Sequence, residues 1–242
     1  MARAGRVVAV FSFNLKRDQE SQTPEAMEHK ITALKLQKRN RQRVNVYLDG
    51  EFAFGLSRIV AAWLNVGQVL SDEKIASLQA EDSREVAFQQ ALKFLNYRAR
   101  AEAEVRRNLV ENGFSEEVIV GTLERLRENG LLNDAQFAQT WVENRATFRP
   151  RSRRALGMEL RQRGLDDETI DGALEEIDDE EQAYQAALAY ARKLENKEWK
   201  DFRQKLSSFL ARRGFSYDVV APVVERVWKE KSSDTPAGED DW

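Results

Sequence analysis

Three short stretches of the sequence, LVENGF at 109–114, LRQRGL at 160–165 and LARRGF at 210–215, decide the fold. Each has a leucine four residues before a glycine and an apolar residue directly after that glycine. The second glycine follows the first by 51 residues, and the third follows the second by 50. A pattern that recurs at such a period is typical of stacked supersecondary units.

The similarity between the three copies extends well beyond these stretches. Counted from each glycine, positions −8, −4, +1, +6, +10 and +13 are apolar in every copy. The eighteen residues are Val105, Leu109, Phe114, Ile119, Leu123 and Leu126, then Leu156, Leu160, Leu165, Ile170, Leu174 and Ile177, then Leu206, Leu210, Phe215, Val220, Val224 and Val227. Because this spacing places side chains along one stripe of a helix, it predicts an amphipathic helix on each side of every glycine.

Each copy is predicted to hold three helices. An amphipathic helix comes first, and the second helix ends at the aligned glycine, which accepts the left-handed conformation that closes a helix. The third helix then starts with Ser115, Asp166 or Ser216 as its N-cap, while Asn133 opens the second copy. The chain is therefore predicted to be mainly α, with a tandem array of three-helix units at 83–130, 131–178 and 179–231.

A small β meander with short helices is predicted over residues 30–82. Residues 31–37 and 43–48 alternate between apolar and polar, and Asp49-Gly50 between two such runs indicates a tight hairpin. Phe52 and Phe54 are expected to continue the apolar face on a third strand, covered by a short helix over 57–65. A second short helix is expected to start after Ser71 as N-cap.

The two ends of the chain have no sustained period. Residues 1–29 are interpreted as a flexible leader, with His29 as a solvated loop residue, and 232–242 as an acidic disordered tail. No apolar run approaches the ~20 residues of a membrane span, and the first residues lack the apolar core and cleavage site of a secretory signal. We therefore expect a cytoplasmic protein without membrane contact.

The composition argues against an enzyme. The chain has no cysteine and one histidine, so a thiolate zinc site, a disulfide framework and a cysteine nucleophile are excluded. No phosphate-binding loop, nucleophile elbow or dinucleotide fingerprint is present. The many acidic pairs fall mostly at predicted helix N-termini, where the helix dipole favours them. We predict no catalytic residue, no cofactor and no metal.

Arginines are the candidate binding residues. The first copy has Arg98, Arg100, Arg106 and Arg107, and the second has Arg145, Arg149, Arg151, Arg153, Arg154, Arg161 and Arg163. The seven in the second copy face a single acid, Glu159, across nineteen residues. This excess favours a surface for phosphate or carboxylate groups, which guanidinium binds bidentately. The alternative is that these side chains cover apolar surface and pair with nearby acids.

The quoted motifs resemble those of the RecX family, bacterial regulators of the RecA recombinase. The resemblance rests on Leu95-Asn96-Tyr97-Arg98-Ala99-Arg100, on Gly113-Phe114, on Gly130-Leu131-Leu132-Asn133-Asp134 with Phe137-Ala138, and on 151–165 and 209–215. It covers residues 83 to about 230, and the strands of 31–55 are similar to the N-terminal extension of longer members. The resemblance implies a monomer that binds RecA filaments on single-stranded DNA in their helical groove, with weak direct DNA contact. It also implies reduced RecA ATPase, strand exchange and co-protease activity.

A second hypothesis is a direct nucleic-acid binder that uses helix-turn-helix-like units. The second and third helices of each unit, with a short glycine turn between them, have the required order. The third helices would then enter the DNA groove, yet those over 115–127 and 166–177 are acidic, and the latter has no Lys or Arg. A helix that reads a groove needs hydrogen-bond donors and a favourable field, so this hypothesis ranks second.

Overall fold

The computed structural model describes residues 28–233, which form a four-stranded antiparallel sheet followed by nine α-helices. The chain divides into two compact units after Leu78. This confirms the predicted mainly α fold with a tandem helical array after a small sheet. Nearly all of the predicted leader and tail lies outside the described residues, except that residues 28 and 29 are in the first strand and 232 and 233 in the last helix.

The sheet has one more strand than predicted. Its order is β3-β2-β1-β4, and the strands are β1 Glu28–Leu36, β2 Arg43–Leu48, β3 Glu51–Ser57 and β4 Val69–Ser71. Strand β4 pairs with the start of β1 and has only three residues, too few to show an alternating pattern. Asp49 and Gly50 have φ values of 52° and 95°, as a primed two-residue turn requires.

The prediction for Phe52 is wrong. The β2–β3 register shifts between Val46 and Tyr47, so Phe54 lies opposite Val46 whereas Phe52 lies opposite Tyr47. Phe52 is 58% exposed and packs edge-on against the Tyr47 ring, while Phe54 packs against the sheet's apolar cluster. A β-bulge of this kind moves one side chain to the other face without changing the sequence pattern.

His29 is also not a loop residue. It lies in β1, its Nδ1 is 3.0 Å from Asp49 Oδ2 and its Nε2 is 3.2 Å from Asp72 Oδ1. The hydrogen bond with Asp49 raises the pKa of the His29 imidazole above 6.5, with Asp72 adding to the effect. The ring therefore joins the hairpin turn to the first residue of the first helix.

A single helix of 24 residues, α1 Asp72–Leu95, stands where two helices were expected on either side of residue 83. The Ser71 hydroxyl accepts a hydrogen bond from the Lys74 amide and so caps this helix, as predicted. No glycine or proline occurs between Gly67 and Gly113, so nothing in the sequence interrupts the helix at the expected boundary.

The remaining helices form the rest of the array. They are α2 Glu102–Glu111, α3 Glu116–Glu128, α4 Asp134–Phe148, α5 Arg153–Gln162, α6 Asp167–Leu174, α7 Asp179–Ala191, α8 Trp199–Arg212 and α9 Tyr217–Ser233. The second part of α1 with α2 and α3 forms repeat one, α4–α6 repeat two and α7–α9 repeat three. Each repeat has its own apolar cluster. Sixteen of the eighteen aligned residues are buried, and Phe114 and Ile177 are partly buried.

Helix ends follow the predicted chemistry at the three aligned glycines and at two of the predicted N-caps, Asn133 and Asp166. Gly113, Gly164 and Gly214 have φ values of 82°, 90° and 94°, which end the second helix of each repeat. The Asn133 and Asp166 side chains accept hydrogen bonds from the Gln136 and Thr169 amides. Ser115 occupies the N-cap position of α3 but makes no capping hydrogen bond.

The first junction joins repeats one and two at a glycine turn. A Cβ on Gly164 would lie 2.4 Å from Ala103 Cβ, so the turn of repeat two packs directly on the start of α2. The Glu102 amide donates to Asp134 Oδ1 at 2.8 Å, which satisfies a free N–H at the helix start.

The second junction, between repeats two and three, has the same construction. A Cβ on Gly214 would lie 2.7 Å from Ala155 Cβ, at the start of α5. The Arg153 amide donates to Asp179 Oδ1 at 2.6 Å. Gly113 has no such neighbour, since its added Cβ would meet nothing within 4 Å. Each later repeat thus packs on the one before it through equivalent atoms.

Leu160→Ala tests the predicted core stripe. Leu160 is fully buried in repeat two, so we expect its truncation to lower the free energy of unfolding by about 2–5 kcal/mol in urea denaturation. Met158→Ala on the same helix is the control, because Met158 is 52% exposed and should change the free energy by no more than about 0.5 kcal/mol. Equal effects of the two substitutions would contradict the assigned stripe.

His29→Gln tests the histidine contacts through their pH dependence. Because the folded pKa is raised, the stabilisation is complete below about pH 6.5 and is lost as pH rises through the folded pKa. The wild-type chain should exceed the variant in thermal midpoint at about pH 5.5, and the difference should shrink towards about pH 8.5. A difference that is constant over this range would show that the imidazole charge does not stabilise the sheet.

Candidate partner-binding surface

Several of the predicted arginines share a single carboxylate partner. Glu104, near the start of α2, accepts from Arg98 at 2.8 Å and from Arg163 of repeat two at 3.1 Å, and Arg100 lies 3.8 Å away. Although partial burial acts to raise it, the bonds from Arg98 and from the Ala101 amide lower the pKa of the Glu104 carboxyl. Three guanidinium groups therefore share one carboxylate at the first junction.

Glu159 has the same role within repeat two. Its Oε2 accepts from Arg145 and from the Trp141 indole N–H, each at 2.9 Å, and its Oε1 forms an ion pair with Arg151 Nη1 at 2.9 Å. Arg145 and Arg163 also stack on the Trp141 ring, at 4.5 and 3.9 Å from its centroid. The single acid of this region is fully engaged, and it neutralises only one of its two arginine partners.

Two of the predicted arginines form ordinary surface pairs. Arg106 binds Glu116, and Arg161 binds Asp167 at 2.8 Å, with each pair joining the second and third helices of one repeat. Such exposed pairs contribute at most about 1 kcal/mol. For these two residues the interpretation as local pairing fits better than a role at a binding site.

Four predicted arginines have no ion pair with any residue in the described part of the chain. Arg107 is exposed on α2, while Arg149, Arg153 and Arg154 are exposed around the start of α5. Burial and the nearby charges of Arg151 and Arg149 lower the pKa of the Arg213 guanidinium in repeat three. Positive charge thus accumulates around the start of α5, where the Asp179 carboxylate binds the Arg153 amide but forms no ion pair with a guanidinium of the described chain.

A groove lies beside the first junction, within repeats one and two. It has a volume of about 670 Å³ and is lined by residues from the end of α1, the loop after α3 and one face of α4. Leu92, Leu95, Leu131, Phe137 and Trp141 supply its apolar lining. Arg98, Arg100 and Arg145 are the charged residues of the lining. We call this feature the junction groove.

The sequence reasoning missed the apolar half of this surface. Leu131 is 45% exposed and lines the junction groove, and Tyr97, within the motif that carries the family resemblance, is 84% exposed. Leu131 follows the glycine that ends α3, where an apolar residue is ordinarily a helix-closing contact. Only the packing of repeat two beside it shows that it borders a groove.

The arrangement can bind anions through its guanidinium groups. Within residues 28–233 no cluster of His, Asp and Glu side chains is able to hold a metal ion. None of the helices in that range is long and apolar enough to cross a bilayer. What the surface offers is guanidinium groups in excess over carboxylates at both repeat junctions.

Four models of the RecX family match the chain in the order of its structural parts. The RecX N-terminal domain matches residues 29–71, which hold the sheet. The first, second and third three-helix domains of RecX match 87–126, 133–174 and 178–224. Each of the three helical matches falls within one repeat of the array.

Similar proteins and structures agree with these matches. Regulatory protein RecX of Bacillus subtilis is 33% identical over 85% of this chain and 80% of its own, and that of Clostridium perfringens strain SM101 is 31% identical over 82% and 96%. A crystal structure of regulatory protein RecX matches with a TM-score of 0.62 and 29% identity over 81% of this chain and 99% of its own. RecX from Lactobacillus salivarius, at 22% identity, supports the fold alone, with a TM-score of 0.54 over 62% of this chain and 99% of its own. This chain belongs to the RecX family of regulatory proteins.

Proposed function

We propose that this protein binds RecA filaments on single-stranded DNA, in their helical groove, and reduces RecA ATPase, strand exchange and co-protease activity. The observation that carries the proposal is the family membership together with unpaired arginines at the second junction. Arg149, Arg153 and Arg154 are exposed, and their guanidinium groups form no ion pair in the described chain. Their natural partners are carboxylates on a protein or phosphates on DNA.

The tandem construction supports binding to a repetitive partner. Equivalent contacts join repeat one to two and repeat two to three, so similar surfaces recur along the array. Weak contacts on successive protomers of a filament add up through effective concentration. A protein of this kind regulates by occupying a surface, and we propose a cytoplasmic, monomeric regulator without catalytic activity.

Direct binding to duplex DNA through helix-turn-helix-like units is the weaker candidate. The helices that would enter a DNA groove are α3 and α6, and both carry acids in their first turn. Helix α6 contains no Lys or Arg. The exposed arginines without an ion pair lie mainly around the start of α5 instead, so a groove-reading role for α3 and α6 has no electrostatic support.

Filament binding is tested by co-sedimentation with RecA on single-stranded DNA and by ATP hydrolysis. We expect the protein to sediment with the filament and to slow hydrolysis in proportion to its occupancy. The same assays on naked duplex DNA provide the comparison. Tight duplex binding with RecA filaments ignored would contradict the proposal and favour the helix-turn-helix alternative.

The triple substitution Arg149→Glu, Arg153→Glu and Arg154→Glu tests the second junction. Glutamates at 153 and 154 fall in the first turn of α5, where they suit the helix dipole, and residue 149 is exposed at the end of α4, so the fold should be retained. We expect the concentration for half-maximal ATPase inhibition to rise by at least about tenfold, which corresponds to about 1.4 kcal/mol.

The matched control carries Arg192→Glu, Lys193→Glu and Lys197→Glu, which change the charge equally at exposed positions after α7. Its concentration for half-maximal ATPase inhibition should stay within about twofold of that of the unmodified protein, because the substituted residues lie away from the second-junction arginines. An equal loss of ATPase inhibition in both triple variants would show that the effect comes from the net charge of the protein and not from a contact at the second junction. Unchanged inhibition by the folded junction variant would remove these arginines from the binding surface.

A further inference from the structure

The junction groove combines apolar lining with an unsatisfied excess of positive charge. Every charged residue of its lining is an arginine, and two of them, Arg98 and Arg100, share the Glu104 carboxylate with Arg163 of repeat two. Arg100 Nε is buried without a hydrogen-bond partner, in a side chain that is 16% exposed. That nitrogen is too buried to meet a ligand directly, so the anion preference of the groove rests on its three lining guanidinium groups, Arg98, Arg100 and Arg145.

Helix α4 adds a regular row of hydrogen-bonding side chains along the groove. Gln136, Thr140 and Asn144 line it at intervals of four residues and are exposed. They make no side-chain hydrogen bond to the part of the chain described. Four residues of α-helix rise about 6 Å, close to the roughly 6.6–6.8 Å that separate alternate residues of an extended peptide. The row therefore matches the backbone groups of an extended chain.

The two aromatic residues of the groove lining, Phe137 and Trp141, stack on each other and are covered from nucleic-acid bases, whereas Tyr97 beside the groove is exposed. The ring of Trp141 is covered by Arg145 and Arg163, and that of Phe94 by Arg100 at 4.0 Å. Binding of single strands depends largely on bases that stack on open aromatic faces. The aliphatic lining of Leu92, Leu95 and Leu131 instead suits a bulky apolar side chain.

We propose that the junction groove binds an extended, acidic segment of a partner protein that carries a bulky apolar residue. The apolar residue lies against Leu131, and the acidic residues lie towards Arg98, Arg100 and Arg145. The backbone runs along Gln136, Thr140 and Asn144. This binding site is distinct from the proposed filament contact at the second junction. Peptide binding in the groove can therefore succeed or fail independently of filament binding.

The experiment uses the full chain with no RecA and no DNA, so its outcome is separate from that of the filament assays. A fluorescein-labelled peptide, DEDLEFEDLD, is titrated with the protein and followed by fluorescence anisotropy. The neutral peptide NQNLQFQNLN is the ligand control. We expect saturable binding of the acidic peptide and at least about tenfold weaker binding of the neutral one, since the groove charges act on the ligand.

Leu131→Glu and Asn144→Glu place a carboxylate in the groove at exposed positions. Each should weaken binding of the acidic peptide by at least about tenfold. Val110→Glu is the matched control for Leu131→Glu, because Val110 is 55% exposed on α2 and is not part of the lining. It should bind within about twofold of the unmodified chain, and thermal melts confirm that each variant is folded.

Three results would overturn the proposal. The first is an absence of saturable binding by the acidic peptide. The second is equal binding by the folded Leu131→Glu, Asn144→Glu and Val110→Glu variants, which would place any interaction elsewhere on the surface. The third is displacement of the peptide by oligo-dT together with loss of oligo-dT binding in the groove variants. That result would make the groove a nucleic-acid surface.

Discussion

The close approach of a glycine turn to the start of the preceding repeat's second helix is the constraint on which the helical array depends. At Gly164 and Gly214 the backbone must be left-handed, and the space that a Cβ would fill is already occupied by Ala103 or by Ser152 and Ala155. The first free amide of that helix is then bonded by Asp134 or Asp179 of the following repeat. Close packing and hydrogen bonding thus fix each repeat on its predecessor at the same place. The arginines before these glycines, Arg163 and Arg213, reach the preceding repeat as a result, to Glu104 and to the Pro150 carbonyl.

The positions that could be predicted from sequence are those where one local rule dominates. Leu109, Leu160 and Leu210 are buried because the spacing of apolar residues places them on the apolar face of an amphipathic helix. Asp49-Gly50 forms the hairpin turn because few other residue pairs accept two positive φ values. Strand β4 has three residues and exists through its pairing with β1, which no local pattern reveals. The boundary at residue 83 follows from the repeat alignment alone, and α1 continues through it because no glycine or proline interrupts the helix there. The bulge that exposes Phe52 is set by its partner strand and not by its own sequence.

In the candidate site, too, local sequence features could be predicted and contacts between distant residues could not. Counting charges along 145–163 located an arginine excess, but it did not tell which arginines are paired. Glu104 and Arg163 are 59 residues apart, and their contact exists only because repeat two packs on α2. That contact, with the Glu159 pairs, divides the predicted arginines into those that hold the array together and those that face outward. The groove was also hidden, because its walls come from two repeats and Leu131 has the ordinary features of a helix-closing residue.

The sharing of Glu104 has a consequence for how the two repeats influence each other. The same carboxylate binds Arg98, on the edge of the groove, and Arg163, which belongs to the following repeat. An anion that draws Arg98 away leaves Glu104 more fully to Arg163, so occupation of one repeat strengthens the bond that holds the next. Thermodynamic linkage makes this coupling reciprocal: whatever stiffens the junction also changes the affinity of the groove by the same factor. This coupling is confined to the first junction, because at the second junction the equivalent arginine, Arg213, donates to the Pro150 carbonyl and shares no carboxylate of the described chain.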